Sequence, residues 1–383
     1  MRTRLLAIIP ALASVLAAAP GAAVTVRNPI NLARPSETIV LEAAELRRLL
    51  AVDDVRKIHV RAEGSDKDLV VQAVDSNDDG VFEQFLFQAD FAPQQTRVFL
   101  LTAGEKQIAK LEDYRTYGRF VRERRDDFAW ENDRIAHRMY GKELETWPQE
   151  PLISSSVDVW TKRVCKLVVN DWYLTDDYHQ EHGEGGDFYF AGSTRGCGGS
   201  GIWTGGKLYP SANFRDSRVF SVGPIRVLFE LTYDTWAAGG ARVSERKRIS
   251  LDAGHSLGRF ESRYTIEGNA ANLMHAVGIR KLQTTQMQSS RERGIMRTWE
   301  PVKAGGELGQ AVVLDPASLR GFAEDDRNYF MLARIDSGAA CVSQAGFGWT
   351  LSGDFLKVED WDRYLADEAA RLRAPVEIKI EKR

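Results

Sequence analysis

Residues 176–203 concentrate side chains that can transfer protons or bind charge. The segment contains two histidines, five carboxylates, one arginine and eight glycines. Histidine suits general acid–base work near neutral pH, and glycine lets the backbone approach a ligand closely. We therefore predict an active-site or ligand-binding loop here, with a plain surface loop as the alternative. The candidate residues in this segment are Tyr178, His179, His182, Asp187, Arg195 and Trp203.

The same loop contains a spacing that could bind a metal. His179, His182 and Glu184 form H-x-x-H-x-E, which offers two imidazoles and one carboxylate to a divalent ion such as zinc. The helical register of H-E-x-x-H is absent, and glycines surround the three residues. A metal-free pair of histidines, one acting as acid or base and one holding a carboxylate, explains the pattern equally well.

A second spacing of oxygen ligands occurs early in the chain. Asp75, Asn77, Asp79 and Glu83 belong to D-x-N-x-D-G-x-x-E, which resembles a compact calcium loop. The bidentate acid of a full EF-hand is replaced by Leu86. The sequence therefore predicts either a structural calcium site or an ordinary hairpin turn built from Asp, Asn and Gly.

Residues 117–141 alternate arginines with carboxylates and aromatic rings. Such a segment can form a surface ion-pair network, or it can present guanidinium groups to a carboxylate or sulfate. The aromatic content favours a site. The candidates here are Arg119, Arg124, Glu131, Asp133 and Arg134.

The bulk properties predict an exported protein. Arg2 and Arg4 precede an apolar run with small residues at Ala19 and Ala23, which is typical of a secretory signal peptide over residues 1–23. We expect a periplasmic or secreted location and no membrane span. The formal charge of −3 argues against a nucleic-acid partner. Cys165, Cys197 and Cys341 allow one disulfide at most, and the sequence does not choose the pair.

The elements that must position these residues are predicted to be antiparallel strands. Short apolar runs between residues 24 and 111 predict a small N-terminal β domain. Residues 112–383 contain longer period-2 segments, among them one in which Val227, Phe229 and Leu231 share a face. The one convincing helix covers Asp360 to Leu372. We expect an all-β protein with the site on the second domain.

Several long strings resemble a bacterial family of secreted proteins, the domain-of-unknown-function family 4861. They are YGRFVRERRDDFAWENDRIAHRMYG, DYHQEHGEGGDFY, RGCGGSGIW, GPIRVLFELTYDTW, SERKRISLDAG, and GFGW followed by SGDF. The resemblance covers nearly the whole mature chain. It implies an antiparallel β super-sandwich of the galactose-mutarotase type. It also implies an oligosaccharide dehydratase that forms a 4,5-unsaturated uronic acid, with a uronic-acid oligosaccharide as partner.

Chemistry then suggests roles for the candidates. Removing the C5 proton of a uronic acid requires a base, a cation on the carboxylate and an acid at C4. We expect His179 as base, Tyr178 or His182 as acid, and Arg195 with Arg134 or Arg124 as the carboxylate clamp. A polysaccharide lyase would use the same groups. Two other classes stay open. The first is a glycoside hydrolase using two of Glu131, Asp133, Glu184 and Asp187, and the second is a non-catalytic sugar-binding protein.

Overall fold

Antiparallel strands make up most of the protein, as seen in a computed structural model that describes residues 21–149, 151–336 and 338–383. The N-terminal elements are β1 (Gly21–Arg27), β2 (Arg34–Glu42), α1 (Ala43–Leu50), β3 (Ile58–Ala62), β4 (Val71–Val74), β5 (Gln84–Phe91) and β6 (Thr96–Ala103). The next group is β7 (Thr116–Val121), β8 (Asp127–Asn132), β9 (Ala136–Met139), β10 (Val157–Lys162), α2 (Val169–Thr175) and β11 (Gly185–Gly186).

The remaining elements form the largest layers. They are β12 (Cys197–Thr204), β13 (Lys207–Tyr209), β14 (Asp216–Ser221), β15 (Arg226–Ala238), β16 (Ala241–Asp252), β17 (Leu257–Gly268), β18 (Met274–Arg280), β19 (Gln286–Ser290), β20 (Ile295–Pro301), β21 (Glu307–Val313), β22 (Leu319–Glu324), β23 (Asn328–Arg334), β24 (Cys341–Trp349), α3 (Val358–Arg373) and β25 (Glu377–Lys382). The predicted all-β class with antiparallel sandwiching is confirmed.

Two sheets form the N-terminal sandwich. One has the order β25-β1-β6-β3 and the other the order β2-β5-β4, with a core that includes Val24, Phe87 and Phe99 between them. The last strand of the chain pairs with the first, from Ala22 opposite Lys382 to Arg27 opposite Glu377. This N-terminal sandwich therefore includes an edge strand from the C-terminal end of the chain.

The predicted signal peptide falls mostly outside the described residues. Gly21–Ala23, its last three positions, already belong to the seven-residue strand β1, in which Ala22 and Ala23 are buried. Cleavage after Ala19 keeps this strand whole, whereas cleavage after Ala23 would remove its first three residues. No helix in the described part of the chain has the length and apolar character needed to cross a membrane.

Three further sheets form the super-sandwich. An eight-stranded sheet has the order β14-β15-β16-β17-β24-β21-β20-β19, and the two five-stranded sheets have the orders β13-β12-β18-β23-β22 and β11-β10-β9-β8-β7. A single apolar core joins them, because Phe229 and Phe347 from the large sheet share it with Trp130 and Val277 from the smaller ones. Burial of such side chains is the main force holding sheets face to face.

Helix α3 packs on the outer face of the eight-stranded sheet, over β20 and β21. Trp361, Leu365 and Ala369 recur every four residues and are buried, so one helical stripe packs against Trp299 of β20. The helix predicted for Asp360 to Leu372 is therefore present and slightly longer.

No disulfide links the three cysteines. The thiols of Cys197 and Cys341 are buried, Cys165 is exposed, and all three are free. Burial raises the pKa of Cys197 to about 12, which makes that thiol unreactive.

Candidate active site

The sheet of β7 to β11 carries the site, and its central strands are buried on both faces. All residues of β8, β9 and β10 are buried. One face, with Phe128 and Trp130, joins the main core. The other face lies beneath α2 and the loop after it, where Trp160 packs against Trp172 and Tyr178.

Charged side chains point toward this second, covered face. The strands supply Asp127, Glu131, Arg138, Asp158 and Lys162, all of them buried. Taking charges out of water costs several kcal/mol each unless they are paired. The pairing is complete at one end, where Lys162 Nζ lies 2.8 Å from Glu131 Oε2 and both side chains are fully buried.

Arg138 organises the other end of this face. Its Nε donates to Asp158 Oδ2 at 2.8 Å and its Nη2 donates to Asp187 Oδ2 at 2.7 Å. Its Nη1 lies 3.7 Å from Asp127 Oδ2. Burial acts to lower the pKa of Arg138, but the charges of Asp187 and Asp158 raise it above its ordinary value. The guanidinium therefore stays charged and fixes two aspartates in place.

A cavity of about 680 Å³ opens where these groups reach the surface. Its wall includes Arg138, Tyr140, Asp158, His179 and Asp187. Its rim adds Phe190 and Lys303, both exposed. A concave site with a few convergent polar groups and apolar walls is typical of a small-ligand or active site.

His179 and Asp187 form the pair in this cavity that is best suited to proton transfer. The His179 side chain is 61% exposed, and its Nδ1 lies 3.6 Å from Asp187 Oδ2. Because Asp187 is held by Arg138, it presents a fixed carboxylate beside the exposed imidazole. An exposed imidazole next to a fixed carboxylate is compatible with general-base chemistry.

Tyr140 provides a hydroxyl on the same wall. Its OH donates to Asp158 Oδ2 at 2.9 Å. Burial, together with the charge of Asp158, raises the pKa of Tyr140 well above its ordinary value. The phenol therefore keeps its proton at neutral pH and is a weaker acid than an ordinary tyrosine, with its proton donated to Asp158.

Asp127 is a fully buried neighbour of Arg138. Burial raises the pKa of its carboxyl to about 7, although Arg138 and Arg124 act in the opposite direction. Its Oδ1 accepts a hydrogen bond from the backbone N–H of Gly141 at 3.4 Å.

Comparison with known proteins places the whole chain in one family. The family model described as "Domain of unknown function (DUF4861)" matches residues 26–378. A protein of Formosa agariphila described as "Uncharacterized protein P7" is 31% identical over 376 residues, which cover 94% of this chain and 93% of that protein. The chain belongs to the DUF4861 family.

Two solved structures share the fold of this DUF4861 protein. One is an alpha-mannosidase from Enterococcus faecalis V583, with a TM-score of 0.53 and 10% identity over 94% of this chain and 46% of that one. The other is a protein of glycosyl hydrolase family 38 from Enterococcus faecalis, with a TM-score of 0.53 and 10% identity over 96% and 48% of the two chains. This chain thus spans about half the length of these proteins, and at such identity the likeness shows the fold alone.

The residues of the predicted loop have three different surroundings: some line the cavity, some pair elsewhere, and the last ones form a strand. His179 and Asp187 come together at the cavity, whereas His182 turns away and its Nε2 lies 2.8 Å from Asp177 Oδ2. Tyr178 is buried, and its OH accepts from Arg124 Nε at 3.1 Å. The predicted roles of Tyr178 and His182 as the acid find no support in this arrangement. From Cys197 onward, the predicted loop is the buried strand β12.

The predicted clamp arginines lie elsewhere, and so does the further candidate Arg119. Arg195 is buried and donates to Ser155 Oγ at 2.9 Å. Arg134 pairs with Asp354 at 2.9 Å on the outer surface, and Arg119 donates to Asn170 Oδ1 at 2.8 Å. Arg124 lies over the Trp147 ring at 4.7 Å. None of the four is among the cavity-lining residues.

Three predicted carboxylates and Trp203 do not line the cavity and have partners elsewhere. Besides its pair with Lys162, Glu131 accepts from the backbone N–H of Val169 at 2.7 Å, at the start of α2, where an acid is stabilised by the helix dipole. Asp133 pairs with Arg115 at 2.6 Å, and Glu184 pairs with Lys166 at 2.6 Å. Trp203 is buried against Phe330.

The two predicted metal sites differ in outcome. His179, His182 and Glu184 have different partners, and the described residues do not bring their ligand atoms together. The carboxylates of Asp75, Asp79 and Glu83 do converge, with ligand atoms within 4.8 Å of one another. Asn77 instead accepts from the backbone N–H of Asp79 at 2.9 Å. The three carboxylates suit a hard cation such as Ca²⁺, while the turn hydrogen bonds also suit a plain hairpin.

Sequence reasoning missed Arg138, Tyr140, Asp158 and Lys303. The first two belong to the arginine-rich segment, where their neighbours offered the same side-chain types. A signal was present in β10, because Asp158 stands between two valines. A carboxylate inside a buried strand must have a partner, and that partner is Arg138, directly opposite on β9.

Proposed function

We propose that this DUF4861 protein is a carbohydrate-active lyase, an oligosaccharide dehydratase that forms a 4,5-unsaturated uronic acid by β-elimination. The observation that carries the proposal is the His179–Asp187 pair on the wall of a cavity that also presents Tyr140 and Lys303. The shared fold of an alpha-mannosidase and a family 38 glycosyl hydrolase supports a sugar substrate.

Each step of the elimination has a side chain suited to it. His179 takes the C5 proton, and the electrons of the C5–H bond form the C4=C5 double bond. The C4–O bond breaks, and its oxygen leaves as water after receiving a proton from Tyr140. The ammonium of Lys303 on the rim neutralises the uronate carboxylate as charge builds on it. Arg138 acts as a positioning residue, because two aspartates already occupy its guanidinium.

If a sugar instead of water leaves C4, the same groups perform a polysaccharide-lyase reaction. Mass spectrometry separates the two, because dehydration keeps the oligosaccharide length and removes one water.

A glycoside hydrolase is the second candidate. Asp158 and Asp187 both line the cavity, as a two-carboxylate mechanism requires. Both, however, accept hydrogen bonds from Arg138, which suits a structural role better than that of a free acid and base.

The test is incubation of the purified protein with oligosaccharides ending in glucuronic or iduronic acid. We expect the ultraviolet absorbance of a conjugated 4,5-unsaturated uronate to rise. The same oligosaccharides with their carboxyl groups reduced to alcohols should stay inert, because their C5 proton is no longer acidic. Shortened, saturated products would favour the hydrolase. Binding without turnover on every uronate would favour a sugar-binding protein.

A further inference from the structure

Phe190 is a large aromatic side chain that stands in solvent at the mouth of the cavity. The residue is 77% exposed and lines the same cavity as His179. Single exposed apolar residues are common on protein surfaces, so exposure alone means little. What distinguishes Phe190 is the structure that holds it.

A buried polar network fixes the backbone at this position. Arg280 Nη1 donates to the carbonyl oxygen of Phe190 at 2.8 Å, and its guanidinium lies 3.5 Å from the centroid of the Tyr189 ring. Arg280 Nε also donates to Glu300 at 2.8 Å. Arg280, Tyr189 and Glu300 are all buried. A network of paired charges in the interior is rigid, because moving any member exposes an unpaired group.

The Phe190 ring packs closely against Gly192. Gly192 has a φ of 51°, and a Cβ added there would come within 2.9 Å of the Phe190 ring. The ring therefore lies directly over the glycine backbone. Any side chain at position 192 would be strained and would push the ring away.

We propose that Phe190 is the stacking platform for the sugar ring next to the reacting uronate. Sugar rings have an apolar face of C–H groups, and a flat, exposed aromatic ring on a fixed backbone is the surface that such a face contacts. This inference rests on the proposed function, since it names the part of the substrate that lies outside the reacting residue. In this account Phe190 recognises the second sugar, and His179 reacts with the first sugar, the uronate.

The test compares two substrates that share the same uronate. One is an oligosaccharide with a second ring, and the other is the methyl glycoside of the uronic acid, which has none. Phe190→Ala should lower kcat/KM for the oligosaccharide up to about tenfold more than for the methyl glycoside, mainly through KM. Phe190→Trp should keep the preference for the oligosaccharide. Leu174→Ala, at a 79% exposed residue of α2 outside the cavity, is the matched surface control.

Three results would overturn the platform. Equal loss on both substrates would make Phe190 a structural part of the site, and no loss on either would make it a surface residue. In both cases the proposed function survives, because the wild type still forms unsaturated product. If the wild type formed product from neither substrate, the proposed function would be contradicted, and the platform with it.

Discussion

At the scale of single residues, Arg138 explains why the cavity has its particular chemistry. It is buried in a strand, and its charge requires the two aspartates that reach the cavity wall. Removing one partner of a buried ion pair is much more costly than the pair itself is stabilising, because the other charges stay behind unpaired. Surface pairs have no such penalty.

Arg138→Gln should therefore lower the free energy of unfolding by about 3–5 kcal/mol. Arg134→Gln is the matched control, because Arg134 also pairs with an aspartate but is about one-third exposed. Its cost should stay below about 1 kcal/mol. Urea unfolding of both variants measures the difference. Similar stability of the two variants would show that the Arg138 network is not a buried structural unit.

At the scale of elements, the N-terminal sandwich depends on the last strand of the chain. Strand β25 pairs with β1 over its length, and Val376 and Ile380 pack against the N-terminal core. Without β25, the β1 edge would be left unpaired, which also invites aggregation.

A chain ending at Pro375 should lose about 2–4 kcal/mol of stability through the lost apolar burial and backbone pairing. Lys379→Ala, which removes only an exposed ion pair with Glu381, should change stability by less than about 1 kcal/mol. Thermal unfolding of the shortened chain measures the effect. An unchanged midpoint would mean that β25 adds nothing to the N-terminal sandwich.

The sequence predicted elements best where one face of a strand is polar. Strand β15 points Val227, Phe229 and Leu231 inward and has the half-buried Arg226, Glu230 and Thr232 on its other face, so its period of two was visible. Strands β8 to β10 are buried on both faces, and their charges lie under a loop instead of in water. No local pattern separates a charge facing solvent from one facing a buried partner, so Arg138 was missed. His179, which lines the cavity, was singled out because its loop is unusual in composition.

At the scale of the whole molecule, three buried groups should control stability toward acid. Burial lowers the pKa of His137 to about 4 and that of His275 to about 3, from an ordinary 6.5. Between pH 6.5 and these lowered pKa values, the two histidines bind protons in the unfolded chain but not in the folded protein. The free energy of unfolding therefore falls as pH falls. Asp127, with its pKa raised to about 7 from 3.8, has the opposite effect over the same range.

The two histidines outweigh the one aspartate, so these three groups together make stability fall as pH falls from 6 to 4. Asp127→Asn removes the opposing contribution, so its stability should fall by about 1.4 kcal/mol more per pH unit than that of the wild type. Urea unfolding across this pH range measures both slopes. An Asp127→Asn slope equal to or shallower than that of the wild type would contradict the assignment of a neutral, buried Asp127.

The central claim is that His179 removes the C5 proton of a uronate in this cavity. The most direct measurement is the rate of unsaturated-uronate formation by the wild type, His179→Ala and His182→Ala. The two histidines belong to one loop and have side chains 61% and 59% exposed, but only His179 faces the cavity. Loss of a general base typically costs 10²–10⁴-fold, so we predict that loss in kcat for His179→Ala and a rate within about threefold of wild type for His182→Ala. Equal rates for His179→Ala and the wild type, or equal losses in the two variants, would contradict the account.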